Sequence, residues 1–287
     1  METKELVLSK TLVKQFEENL REEEKSKATI EKYVRDLNHF MGFAGEGKIV
    51  TKETVISYKQ HVAKDHAVSS SNSMLAALNC FLRFAGFHSY TVRAFRMQKA
   101  IFRSKEQELS KEEYFRLVET ARRRGDHRLC MVMQTICATG IRISELRFIT
   151  VESLLARRAV VSLKGKSRVV ILPVGLCREL ESYVQENGIH SGSIFVTRTG
   201  RPIDRTNVLH SMKALCEEAN VERGKAFPHN LRHLFAVTYY NAEKDVCHLA
   251  DLLGHSNVNT TRVYTLMSCE TLEKQVEELV LVLGECQ

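Results

Sequence analysis

The 287-residue sequence contains no tryptophan and only three prolines. Because proline breaks helices and glycine weakens them, three prolines and fourteen glycines predict a mainly helical protein. No apolar run approaches the roughly 18 residues of a membrane-spanning helix. The opening METKELVLSK lacks the apolar core of a signal peptide. We therefore expect a cytoplasmic protein that makes no contact with a membrane.

A disulfide framework is also missing. The eight cysteines contain no C-x-x-C pair and have no regular spacing. In a chain of this size that pattern is typical of reduced thiols in the cytosol.

Acidic residues are absent from a long stretch of the first half. Between His66 and Lys105 there is no Asp or Glu, and the whole chain carries a net charge of +7. A run of one sign suits phosphate binding, because each neutralised phosphate releases condensed counterions. A solvated basic face is the alternative, but the length of the acid-free stretch favours DNA. The candidate DNA-binding residues are Arg83, Arg93, Arg96, Lys99 and Arg103.

The pattern of apolar residues divides the chain into two parts. The polar stretch SKEQEL precedes Ser110, which forms an S-x-x-E capping box with Glu113 and predicts a helix start. We expect a helical DNA-binding domain over 1–104, a linker over 105–109 and a second domain over 110–287. Helices in the first domain are predicted around Leu12–Leu20, over Thr29–Phe40 after an N-cap at Ser26, from Thr51, over Ser73–Ala85 and over Val92–Phe102.

The second domain mixes helices with short strands. Helices are predicted at 110–124, 127–138, 143–149 and from about Arg205 onward. In AVVSLKGKSRVVILP, two β-branched runs flank Lys164–Ser167 and predict a hairpin with the lysines at or near its tip. IFVT followed by RTGRP predicts another short strand and turn. This domain is therefore expected to be α+β with a small antiparallel sheet.

The stretch FPHNLRHLF places His229 and His233 four residues apart, on one helix face. A zinc site is not predicted, because Asn230 replaces the glutamate of HExxH and Arg232 adds a cation. His233 is expected to be a buried core histidine. His229 and Arg232 follow Pro228 at a helix start, where anions are favoured, so this pair suits a phosphate.

Two further motifs carry candidate residues. In CATGIRISEL, Gly140 ends a helix, Arg142 lies at the junction and Glu145 follows three residues later. In LLGHSNVNTTRVYT, His255 follows a helix end and Tyr264 lies on the next helix. Each has an ordinary alternative: Arg142 as a surface arginine in a turn, and Tyr264 as a packing residue.

Together the motifs read T-G-x-R, H-x-L-R-H and L-G-H-x(8)-Y, in that order. This order resembles the tyrosine recombinase (phage integrase) family, and specifically its simple Xer-type members. Thr29, Tyr33, Asp36, Leu37 and Phe40 are similar to the family's core-binding domain. The resemblance covers nearly the whole chain. It implies an N-terminal SAM-like helical bundle followed by a catalytic domain.

The resemblance also implies roles for individual residues. Tyr264 would attack a DNA phosphodiester, giving a 3′-phosphotyrosyl bond and a free 5′-hydroxyl. Arg142 and Arg232 would hold the non-bridging oxygens, while His229 would assist proton transfer from the tyrosine. His255 would hydrogen-bond the scissile phosphate; some relatives have tryptophan there. Lys164 would be the general acid, with Lys166 as the alternative, and Glu145 and His233 would support the site without metal or cofactor.

The expected partner is double-stranded DNA with an inverted-repeat core site, processed through a Holliday junction at the nucleoid. The tail around 270–284 places Leu272, Val276, Leu279 and Leu283 in one apolar row. In this family such a tail docks on the neighbouring protomer in a ring of four, and packing on its own domain is the alternative. Free protein would then be a monomer or weak oligomer.

The sequence does not separate integration, excision, inversion and dimer resolution, which share one chemistry. Two alternative functions are a type IB topoisomerase-like relaxing enzyme and a DNA-binding regulator without catalysis.

Overall fold

The computed structural model describes residues 5–96, 107–163, 166–197, 199–255 and 257–264. They fall into two compact units, one within Met1–Lys99 and one within Ala100–Gln287. Both are mainly helical, and each has its own hydrophobic core. The predicted fold class is confirmed.

Over residues 5–96, the first unit is a bundle of four α-helices with a two-stranded ribbon. Ser26 caps the second helix through its side-chain oxygen, as the sequence predicts. The third helix begins after Thr51, where the sequence predicts a start, and Thr51 caps it in the same way. The fourth helix begins five residues earlier than predicted, at Val68 instead of Ser73. The elements of the first unit are β1 (Leu6–Val7), α1 (Lys10–Glu22), α2 (Lys27–Ala44), β2 (Ile49–Val50), α3 (Lys52–Asp65), α4 (Val68–Phe84) and a 3₁₀ helix at His88–Tyr90.

The helix predicted over Val92–Phe102 is wrong for the part that the structure describes, because 92–96 are not helical. Two asparagines of α4 explain the difference. The Asn79 amide donates to the Val92 carbonyl at 2.8 Å and accepts from the Val92 N–H at 2.9 Å. Asn72 makes the same pair with Phe95, at 3.0 and 2.8 Å. Since these bonds satisfy backbone groups that a helix would use, the segment does not form a helix.

Within the part of the chain that the structure describes, the second unit has seven α-helices. The first six contribute to one core, and the seventh packs in a smaller separate cluster. Ser110 and Glu113 form the predicted capping box at the first of them. The α-helices are α5 (Lys111–Arg123), α6 (His127–Thr139), α7 (Val151–Leu155), α8 (Val174–Glu186), α9 (Arg205–Leu215), α10 (Pro228–Glu243) and α11 (Val246–Leu253).

The segment predicted as a helix over 143–149 is a short 3₁₀ helix, Ile143–Phe148. Its opening bond runs from the Glu145 N–H to the Arg142 carbonyl, three residues back, at 2.8 Å. The Glu145 carboxylate in turn accepts from the Arg142 N–H at 2.9 Å. This capping contact tightens the turn around a charged pair, and Arg142 is thereby held at a junction. A second 3₁₀ helix, Val258–Tyr264, carries the candidate nucleophile.

The predicted hairpin forms from β3 (Arg158–Leu163) and β4 (Lys166–Ile171), antiparallel from Arg158↔Ile171 to Leu163↔Lys166. Lys166 and Ser167 therefore lie in a strand and not at the tip. Lys164 and Gly165 lie outside the described residues. Of the second predicted strand and turn, the structure shows a bridge between Val196 and Pro202.

The described helices include none that is both long and apolar enough to cross a membrane. The six cysteines within the described ranges are free thiols.

Candidate active site

Arg232 of α10 joins two helix ends. Its Nη1 donates to the Gly140 carbonyl at 2.6 Å, and its Nη2 donates to the Leu253 carbonyl at 2.8 Å. Gly140 is the left-handed C-cap of α6, and Leu253 is the last residue of α11. Carbonyls at helix C-termini carry partial negative charge, so they are good acceptors for a buried cation.

The Arg232 side chain is only 2% exposed. Burial lowers its pKa to about 10, and the nearby charge of Arg142 acts in the same direction, while Tyr264 and Glu145 oppose them. The guanidinium therefore remains charged at neutral pH. It lines a cavity of about 400 Å³ together with Arg142 and His229. The predicted pair of arginines and the predicted His229–Arg232 pair thus meet at one concave surface.

Arg142 reaches this cavity from the turn after α6, and 40% of its side chain is exposed. Its Nη1 donates to Oε1 of Glu145 at 2.9 Å. The Glu145 side chain is 2% exposed and also accepts from Arg168 of β4, whose Nη2 lies 2.7 Å from Oε2. Burial alone would raise the pKa of Glu145, but the Arg142 N–H and the two guanidiniums outweigh it and hold the pKa below its ordinary value.

Arg168 was missed by the sequence reasoning. It follows the hairpin lysines in the run KGKSR, which was the available signal, but nothing in the pattern indicated its partners. Besides Glu145, it donates from Nη1 to the Leu252 carbonyl at 2.5 Å. A charged strand residue on the buried side of a hairpin is uncommon, and here it points at the site.

His255 lies in the turn after α11, with its Nε2 3.0 Å from Nη2 of Arg232 and its Nδ1 2.8 Å from Oγ1 of Thr261. An arginine can only donate, so Nε2 accepts, and Nδ1 carries the proton that Thr261 receives. Burial lowers the pKa of His255 to about 4, with further contributions from the charges of Arg232 and Arg142. The ring is therefore neutral at physiological pH.

Tyr264 is 5% exposed and lies against His255 and His233. Its ring stacks on His255 with centroids 6.2 Å apart, and it lies 5.0 Å from the ring of His233. His255 in turn contacts Arg232, so the tyrosine lies one side chain away from the buried arginine. His233 is buried, and its Nε2 is 3.6 Å from Oε1 of Glu108.

The other candidate residues divide into two groups. Lys164, Lys99 and Arg103 lie outside the described residues, and for Lys166 the structure describes the backbone only. Arg83, Arg93 and Arg96 are exposed on the first unit.

A basic cavity of the first unit was not predicted residue by residue. It has a volume of about 470 Å³, between α2 and the start of α4. The signal was present in the spacing of Lys32, Arg35 and His39, which lie on one face of a helix. Its lining residues are Lys32, Arg35, Asp36, His39, His66, Ser69, Ser70, Ser73 and Met74.

Among the described residues, no group of three or more His, Cys, Asp or Glu side chains is arranged to hold a metal ion.

Comparison with known families identifies both units. Residues 107–270 match the phage integrase family, and residues 13–86 match the phage integrase N-terminal SAM-like domain. The tyrosine recombinase XerA of Thermococcus kodakarensis is 27% identical over 281 residues, which cover 94% of this chain and 96% of that protein. The tyrosine recombinase XerC of Lactobacillus delbrueckii subsp. bulgaricus is 31% identical over 145 residues, covering 47% of this chain and 49% of that protein.

Solved structures share the fold. A crystal structure of XerA recombinase covers 95% of this chain and 99% of its own, with a TM-score of 0.53 and 23% identity. The site-specific recombinase XerH, bound to its difH substrate, covers 92% of this chain and 84% of its own, with a TM-score of 0.69 and 17% identity. A lambda integrase dimer bound to a COC′ core site gives a TM-score of 0.72 at 16% identity, covering 91% and 77%. With both of these matches and its Xer relatives, the chain belongs to the phage integrase family and is a tyrosine recombinase of the Xer type.

Proposed function

We propose that this site-specific DNA recombinase uses Tyr264 as its nucleophile and Arg142 and Arg232 as its phosphate clamp. The observation that carries the proposal is the shared cavity. Arg142, Arg232 and His229 line it, with Arg205 and Asp204 also among the lining residues. Tyr264 lies next to Arg232 through His255. The two alternatives, a relaxing topoisomerase and a catalytically silent regulator, are not favoured by the named recombinases that match this chain.

The charge distribution suits phosphoryl transfer. Attack on a phosphodiester builds negative charge on the non-bridging oxygens, and guanidiniums fixed in advance stabilise that charge without reorganising. Arg232 is fixed by the Gly140 and Leu253 carbonyls, and Arg142 is fixed by Glu145. The more exposed Arg142 is the natural first contact for DNA, and Arg232 lies at the floor of the site.

Tyr264 would form the covalent bond to the 3′-phosphate. A tyrosine with a pKa near 10 is a weak nucleophile unless neighbouring cations stabilise its phenolate. Arg232 is the proposed cation for this task, because one histidine side chain separates it from the tyrosine, and His229 is the proposed proton acceptor. Lys164 is the proposed general acid for the 5′-oxygen, with Lys166 as the alternative. Because the phosphotyrosine conserves the bond energy, rejoining needs no nucleotide cofactor.

In this scheme His255 would also donate a hydrogen bond to the scissile phosphate. In the structure its Nε2 accepts a hydrogen bond from Nη2 of Arg232. To donate to a phosphate oxygen, Nε2 must gain a proton. An arriving phosphate raises the proton affinity of this ring, since it neutralises the arginine charges that lower the pKa.

The proposed assembly is a homotetramer on an inverted-repeat core site. Support comes from the lambda integrase tetramer bound to a Holliday junction, which shares this fold at a TM-score of 0.70. The exchange of C-terminal helices remains a proposal, since residues 265–287 lie outside the described part of the chain.

The test is covalent trapping on a duplex nicked near the cleavage point, where loss of the short product prevents rejoining. Wild type should form a denaturant-resistant protein–DNA adduct, and Tyr264→Phe should form none while binding the duplex. Tyr240→Phe is the control, because Tyr240 packs in the same small hydrophobic cluster as Tyr264. If wild type and Tyr264→Phe trap equally little DNA, a regulator is indicated. Relaxation of supercoiled plasmid without a special site would indicate a topoisomerase.

A further inference from the structure

Arg168 joins three pieces of the chain that are distant in sequence. It lies on β4, two residues after Lys166, where β4 pairs with β3. One guanidinium nitrogen donates to the Glu145 carboxylate at 2.7 Å, and the other to the Leu252 carbonyl at 2.5 Å. The hairpin is therefore tied both to the turn that carries Arg142 and to the end of α11 that precedes His255.

The fit around this side chain is close. A Cβ added at Gly254 would lie 2.5 Å from the Arg168 Cδ and 2.7 Å from its Nε. The glycine is also the left-handed C-cap of α11, with φ +64°. Arg168 thus passes directly over the turn that leads to His255, and the turn leaves room for it by having no side chain.

A contribution to folding stability does not by itself explain why Arg168 is buried beside Glu145. The Arg168 side chain is 13% exposed, and its buried Nε has no hydrogen-bond partner among the described residues. Burying a guanidinium carries a desolvation cost, and an unpaired buried donor adds to it. The Glu145 carboxylate already has a cationic partner in Arg142. What the second arginine adds is a fixed orientation: Oε2 is held by Arg168 and the Arg142 N–H, which leaves Oε1 for the Arg142 guanidinium.

We propose that Arg168 is a positioning residue for DNA cleavage, acting through Glu145 on Arg142 and through the end of α11 on His255. This proposal rests on the proposed function of the site. Arg168 touches neither the phosphate nor the leaving oxygen in this scheme. Its effect is on the geometry of the clamp, and a misplacement of about 1 Å at a reacting group costs on the order of 100-fold in rate.

The experiment measures single-turnover cleavage of the nicked duplex at saturating protein, with DNA affinity and thermal unfolding recorded for each variant. Arg168→Met removes the guanidinium and keeps the length of the chain. Arg158→Met is the matched control, since Arg158 is exposed on β3 of the same hairpin. We expect Arg168→Met to slow cleavage on the order of 100-fold with nearly unchanged affinity, and Arg158→Met to leave the rate unchanged.

A double-mutant cycle separates positioning from a general structural effect. If Arg168 acts in part through Glu145, then Arg168→Met should cost clearly less in a Glu145→Gln background than in the wild type. The cost that remains is the part exerted through the end of α11. Additive penalties would overturn the proposal. If Arg168→Met does not fold, the same cycle is run with Arg168→Lys, which keeps the charge but cannot reach both acceptors with one nitrogen.

A second substrate separates the clamp from the leaving group. Replacing the bridging 5′-oxygen by sulfur removes the need for a general acid, because thiolate is a far better leaving group. Arg168→Met should remain slow on this substrate. Full rescue would show that Arg168 acts through the hairpin lysine and would overturn the inference. If wild type traps no DNA on either substrate, it is the proposed function that fails.

Discussion

Replacing Gly140 by alanine tests the packing on which the buried arginine depends. Gly140 caps α6 with φ +63°, and its carbonyl accepts from Arg232. A Cβ at this position would overlap the ring of Phe235, with Cε1 at 2.6 Å, and would lie 3.0 Å from Cδ2 of Leu253. Gly188 has nearly the same φ, +62°, but a Cβ there would meet no atom within 4 Å.

Comparing alanine at Gly140 with alanine at Gly188 separates the cost of the backbone conformation from the cost of overpacking. The left-handed conformation costs an alanine about 1–2 kcal/mol at either glycine. Overpacking against Phe235 and Leu253 adds about 1–3 kcal/mol, and only at Gly140. Gly140→Ala should therefore lower the free energy of unfolding by about 2–5 kcal/mol, against about 1–2 kcal/mol for Gly188→Ala.

Thermal unfolding followed by circular dichroism measures the difference. In a domain of this size 1 kcal/mol corresponds to about 2–4 °C, so Gly140→Ala should melt clearly below Gly188→Ala. Cleavage of the nicked duplex should also fall in Gly140→Ala alone, because the displaced carbonyl no longer holds Arg232. Equal melting temperatures for the two variants would refute the close packing of α6 against α10 and α11.

Three further results are expected. Lys164→Ala should slow cleavage of normal DNA and recover on the 5′-sulfur substrate; recovery by Lys166→Ala instead would move the general acid by two residues. Thr261→Val removes the acceptor of the His255 N–H and should lower the cleavage rate by about 10–100-fold, whereas Thr135→Val, at a buried hydroxyl with no described partner, should leave it unchanged. The pKa of His255 is lowered from its ordinary value to about 4. At pH values between these two, this ring binds a proton in the unfolded chain but not in the folded chain. Stability should therefore fall as the pH falls through this window, less steeply in His255→Gln; parallel pH–melting curves would contradict this.

Local signals in the sequence predicted much of the fold. Ser26 and the Ser110–Glu113 pair mark helix starts because a cap is a contact between neighbours in the chain. The helix predicted over Val92–Phe102 failed for the opposite reason. Its backbone groups are taken by asparagines 13 and 23 residues away, which no local pattern reveals.

The candidate site shows the same difference between residues marked by local motifs and residues whose contacts are distant in the chain. Arg142, Arg232, His255 and Tyr264 were named because they stand in recognisable motifs. Arg168 was missed because its meaning lies in its partners, Glu145 and Leu252, which are 23 and 84 residues away in the chain. The tautomer of His255 was equally invisible, since it follows from the arginine that faces it.

The asparagine contacts of the first unit have a consequence for chemical ageing. Each amide uses its nitrogen and its oxygen at once, on a backbone carbonyl and a backbone N–H. Conversion of either side chain to aspartate, by deamidation, would replace the donor with a second acceptor and set a negative charge against a carbonyl. The segment that displays Arg93 and Arg96 would then lose these hydrogen bonds to α4, and its Val92 and Phe95 side chains pack against the core of the bundle. Deamidation of Asn72 or Asn79 in stored protein would therefore loosen the segment that carries these two proposed DNA-binding arginines.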